Sequence, residues 1–184
     1  MPRVNPVTGK SDVPTEHHAV VDSVVKVFGG VRGPFSMLLH SPKLAEKMLG
    51  LVTFFRDDSV TEPNLRSVAI LAAVREREAA YVWSAQVGAA RRNGVSEDII
   101  DLLRAKADPG KLPPEEREIV TYVRQLMRTN RIDQAAFDAL KKRHSGRTAR
   151  SNAPGVWLFI PCCATNSSLK GIIFSNRRFM ESVL

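Results

Sequence analysis

"EPNLRSVAILAAVREREAAYVWSAQVGAARRN", residues 62–93, decides the fold. Its apolar residues recur with a helical period, and there is too little β-branched alternation for a strand. Thr61 stands at its head, and the stretch is long enough for one bent helix or for two. Downstream, Gly94 ends the periodic run and Ser96 opens "EDIIDLLRA", with acids in the first turn where the helix dipole favours them. "PGKLPP" at 109–114 reads as a hinge or loop, and "EEREIVTYVRQLMRT" then carries a broad apolar stripe at 119, 120, 123, 126 and 127. Asp133 is placed to cap "QAAFDALKKRH", with Ile132 and Phe137 spaced as a hydrophobic staple.

Upstream the same punctuation continues. Ser41 caps and Pro42 starts "PKLAEKMLGLVTFFR", where a missing N–H costs nothing. Thr15 is the candidate cap of "EHHAVVDSVVKVF", which Gly29 and Gly30 end. These signals predict an all-α fold of six or seven helices in one domain over 15–143, behind a polar lead at 1–14. Residues 144–184 are different: turn residues alternate with the apolar bursts "VWLFI" and "GIIF". A strand-like tail, a partly helical closing segment and a segment that orders against another subunit all fit that pattern.

Composition narrows the function classes. Of 184 residues, 43% are hydrophobic, enough for one core, and 27 basic against 19 acidic residues give a net charge of +8. That charge favours small anions or acidic surfaces. The basic run at 141–150 lacks the interleaved aromatics of a nucleic-acid platform, so nucleic acid is not the expected partner. The N-terminal stretch has no apolar run of signal-peptide type, and no segment reaches the ~18 apolar residues of a membrane span. Cys162 and Cys163 are adjacent and form neither a disulfide framework nor the spaced ligands of a zinc site. No metal is expected, and a cytoplasmic location fits best.

"GPFSMLLHSPKLAEKMLGL" (33–51), "LRSVAILAAV" (65–74), "YVWSAQVGAARRNGVSEDIIDLL" (81–103) and "LPPEEREIVTYVRQLMRTNRIDQAAFDAL" (112–140) follow one another in the order of a known family. Together they resemble the carboxymuconolactone decarboxylase family, whose wider relatives include the AhpD alkylhydroperoxidase-like proteins. The resemblance covers roughly residues 30–143 and implies an AhpD-like all-helical subunit that assembles as a trimer or hexamer. It also implies a small cyclic acid or lactone as substrate, handled without a metal or organic cofactor.

The departures from that family are specific. Arg66 is followed by Ser67 where relatives often carry Arg-Glu. The two cysteines and the histidine of thiol-active relatives fall on Ala79, Val82 and Gln86, and the Tyr-Glu-Trp-x-x-His of decarboxylase-like relatives becomes Tyr81, Val82, Trp83 and Gln86. Dithiol reduction of a peroxide needs a thiolate and a resolving thiol within reach, which Ala79 and Val82 do not supply. Neighbouring Cys162 and Cys163 meet only with distorted backbone.

Lactone decarboxylation needs a proton-transfer group and a clamp for carboxylates. Gln86 can orient a substrate by hydrogen bonding but cannot titrate, and Ser67 offers a hydroxyl that more often bonds back to its own helix. His40, just ahead of a helix start, is the remaining titratable base of interest. Arg66 and Arg75 suit a dianion, although pairing within "REREAA" is the commoner fate of such groups. Tyr81 and Trp83, two apart on a helix, point in different directions, so one is expected in the core, Trp83 by preference, and the other at a pocket or subunit contact. The candidate site is therefore His40, Gln86 and Ser67 for chemistry, with Arg66, Arg75, Tyr81 and Trp83 for substrate. An enzyme with a modified acid–base set stands against a catalytically inactive binding or scaffold protein of the same fold.

Overall fold

A computed structural model describes residues 4–57 and 61–148, with side chains as far as 142. The closing segment, including Cys162, Cys163, "VWLFI" and "GIIF", lies outside the described residues. The described chain is all-α: α1 His18–Phe28, α2 Phe35–Leu38, α3 Pro42–Asp57, α4 Pro63–Glu76, α5 Ala80–Arg92, α6 Glu97–Arg104, α7 Pro114–Thr129 and α8 Gln134–Thr148. It divides near residue 60 into two compact units. Among the described residues no helix is long and apolar enough to cross a membrane.

The first unit holds α1 to α3. Gly29, at φ +73°, closes α1 by donating its N–H to the Val25 carbonyl at 2.8 Å, a left-handed conformation that glycine adopts without steric cost. Val21 and Val24 of α1, Phe35 of α2 and Ala45 and Leu49 of α3 form a core that Val7 and Val13 join from ahead of α1. Thr15 lies within a short 3₁₀ turn and makes no side-chain cap.

The second unit is built around α4. Residues 65, 67–69 and 71–74 of that helix are all buried. Four consecutive buried positions sweep about 300° at 3.6 residues per turn, so no single stripe can describe them. A helix apolar all round must be enclosed, and α4 packs against α5, α6 and α7. The long periodic stretch is two helices, because Glu78 adopts φ +52° between them. Ser96 caps α6, its hydroxyl accepting from Ile99 N–H at 3.5 Å, and buries Ile100 and Leu103 below. Asp133 caps α8 through Ala136 N–H at 2.7 Å, as its position predicts. The α7 stripe is buried at Ile119, Val120 and Val123, with Arg124 among them.

Candidate functional site

Three helix ends meet where α4 stops, α5 starts and α6 stops, and a cleft of about 330 Å³ opens there. Val74, Ala79, Ala80 and Trp83 form its apolar wall, and Arg75, Glu78 and Arg104 its polar one. The polar wall is assembled from helix-end chemistry. The Arg104 carbonyl, at the end of α6, lacks an intrahelical donor and accepts from Arg75 Nε at 2.7 Å. Glu78, just past α4, is held by Arg75 and by Lys106. Glu78 and Lys106 are both non-glycine residues at φ +52°, so the ion pair joins two left-handed turns that end two different helices.

Those partners fix the charge state of the site. The Lys106 hydrogen bond, helped by the charge of Arg75, holds the Glu78 carboxyl below the usual carboxylate range. Glu78 is therefore anionic at neutral pH and a weak base. Arg75, Arg104 and Lys106 against the Glu78 and Asp101 carboxylates leave this wall with an excess of positive charge. Arg104 also pairs with Asp101 on its outer side.

The candidate residues separate on this geometry. Arg75 and Trp83 meet in the cleft, and Ala79 lines it. Arg75 does pair within "REREAA", through Glu78, while keeping its place on the wall. Tyr81 is 64% exposed and Trp83 is half-buried in the cleft, so Trp83 is not the core residue its size suggests. Ser67 is buried and used within the fold: its hydroxyl donates to the Pro63 carbonyl and accepts from Asn93 Nδ2, both at 2.9 Å. Arg66 is half-buried on α4 and Gln86 half-buried on α5, and neither lines the cleft. His40 belongs to the first unit, where its Nε2 donates to the Asn5 carbonyl at 2.9 Å and ties the N-terminal segment to the end of α2.

Residues the sequence reading passed over carry the most buried charge. The Glu76 and Arg124 side chains are each 7% exposed, with Arg124 Nε 3.2 Å from Glu76 Oε1. Arg128 binds the same carboxylate with two nitrogens, Nε at 2.8 Å and Nη2 at 2.9 Å. Burial alone would raise the Glu76 carboxyl, but Arg128, with Arg124 and Lys106 behind it, holds it low. A signal existed: Arg124 lies one turn after Val120 and beside Val123, on the apolar stripe of α7. A cation there requires a buried partner.

No protein-family model, curated protein or solved structure matches the chain.

Proposed function

We propose that the chain is a carboxymuconolactone decarboxylase-like binding protein that takes a small anionic, lactone-like or cyclic carboxylic acid in the cleft between α4 and α5. One observation carries this reading: Arg75, Arg104, Trp83 and Ala79 line a single cleft. Ala79 is the column in which thiol-active relatives of the resembled family carry their first cysteine, whereas the Val82 and Gln86 columns do not line the cleft, so the reading rests on the lining residues and not on the family pattern. The arginines supply charge-assisted donors for a carboxylate, and the indole and alanines supply a flat apolar wall. Binding is favoured over turnover because the carboxylate in the cleft is committed to Arg75 and Lys106. Self-association as a trimer or hexamer belongs to the same reading.

The test is a panel of cyclic and lactone carboxylates titrated by calorimetry against the wild type, Arg75→Gln and Gln86→Ala. A charge-assisted hydrogen bond contributes about 1.5–3 kcal/mol, so Arg75→Gln should weaken the best ligand about ten- to hundredfold. Gln86→Ala should bind as the wild type does. Wild-type protein that binds no member of the panel, or an Arg75→Gln variant with unchanged affinity, removes the cleft from consideration. Consumption of a bound lactone would favour the enzymatic reading, with Glu78 as the group to replace next.

A further inference from the structure

The cleft between α4 and α5 leaves unexplained a second concave surface, on the far helix of the same unit. Thr121, Arg124, Gln125 and Arg128 stand at i, i+3, i+4 and i+7 on α7 and line a cleft of about 240 Å³ with Pro109 and Thr129. Its walls hold two guanidinium groups and no carboxylate. Gln125 is committed to Asp133, and the Thr129 hydroxyl to the Gln125 carbonyl and the Arg131 N–H. Glu76 pairs with both arginines from behind, while Asp108 and Asp133 are engaged by the Gly110 and Ala136 N–H groups.

Arg124 is 6% exposed and incompletely satisfied. Nη1 donates to the Ala107 carbonyl at 2.5 Å. Nε has no aligned hydrogen bond despite its 3.2 Å approach to Glu76, a carboxylate whose two oxygens also accept from Arg128. Two cations therefore share one anion at the edge of an open cleft. A buried guanidinium with an unused donor, sharing its carboxylate with a second guanidinium, is an arrangement that a further anion completes.

We infer that this α7 cleft is a second anion site, distinct from the carboxylate cleft, and that it takes a phosphate group. Arg124, Arg128 and Thr121 line it as three donor-bearing side chains, which suits the several oxygens of a tetrahedral oxyanion. Glu76 acts there as an internal competitor: the exogenous phosphate and the carboxylate draw on the same two arginines.

Inorganic phosphate, a simple phosphate monoester and acetate are titrated into the full chain by calorimetry, with melting recorded for each variant. The expected result is saturable phosphate binding, tighter than acetate, that weakens about tenfold or more in Arg128→Gln. Arg128 is half-exposed, so that variant should stay folded, its melting temperature shifting by a few degrees at most. Glu76→Gln, which retains an acceptor but removes the competing charge, should tighten phosphate binding several-fold, an effect that a purely structural role would not produce. Arg75→Gln should leave phosphate binding unchanged, which separates this site from the cleft between α4 and α5. Tighter binding of the monoester would identify the phosphate as the head of a larger ligand. Absence of saturable phosphate binding, acetate binding as tightly, unchanged affinity in Arg128→Gln, or no tightening in Glu76→Gln would each overturn the inference.

Discussion

Glu76→Ala should be among the most damaging substitutions in the second unit. The variant leaves the Arg124 guanidinium buried with its counter-charge gone, since both side chains are 7% exposed. Removing one partner of a buried pair costs about 3–5 kcal/mol, because the remaining ion keeps its desolvation penalty and loses its compensation. Arg128 is 53% exposed and can turn to water, so Arg128→Ala should cost about 1 kcal/mol or less. Replacing the pair together, Glu76→Leu with Arg124→Met, removes both desolvation penalties and should recover most of the loss, the remainder reflecting the Ala107 carbonyl left without its donor. Urea unfolding of the three variants, compared at constant denaturant slope, ranks the three losses directly. A Glu76→Ala loss no larger than that of Arg128→Ala, or a double variant as damaged as the single one, would refute the reasoning.

Acid should act on the same carboxylate. The folded Glu76 value lies below its unfolded value, so its contribution is fully present above about pH 4.3 and is lost as pH falls through the folded value; Glu76→Gln should show a flatter loss of stability over that acid range, and an identical slope in the two proteins would contradict it. Ser67→Ala should cost about 1–2 kcal/mol by stranding Asn93 Nδ2, read as a lower urea midpoint, and the double variant with Asn93→Ala should cost less than the sum of the singles. Purified protein should show no dithiol-coupled peroxide consumption, since Ala79 and Val82 provide no sulfur at the family position. Activity abolished by replacing Cys162 or Cys163 would reverse that expectation.

Most helix ends were legible because their chemistry is local. Pro42 at the start of α3, Gly29 after α1, Ser96 before α6 and Asp133 before α8 each act on residues within a few positions. The division between α4 and α5 could not be located the same way: the left-handed residue there is Glu78, with no glycine or proline beside it to mark the turn. The four-residue α2, between Pro34 and Leu39, is too short to show a period. In the cleft, Arg75 and Trp83 were proposed from their charge and aromatic character beside the resembled motif, whereas Arg104 is 29 positions from the Arg75 side chain it receives. The Glu76–Arg128 pair spans 52 positions, beyond any local pattern. Hydroxyl and imidazole chemistry made Ser67 and His40 attractive in sequence, but both side chains are spent on structural hydrogen bonds that only the fold reveals.

The electrostatics of α4 join these observations. Carboxylates are disfavoured at a helix C-terminus, where the backbone carbonyls already carry partial negative charge. Glu76 is nevertheless the last residue of α4, and Glu78 follows it in a left-handed conformation that a glycine would adopt with less strain. Two separate cation sets offset that conflict: Arg124 and Arg128 reach Glu76, and Arg75 and Lys106 reach Glu78. Each set also forms part of, or borders, one of the two clefts. Local rules are broken where a structure needs something other than stability, and the expense is met by neighbours. Here the broken rule lies at one helix end and the compensating cations lead outward to two concave surfaces. That coincidence is why the end of α4, rather than the histidine or serine that look reactive in sequence, is the place to look for ligands.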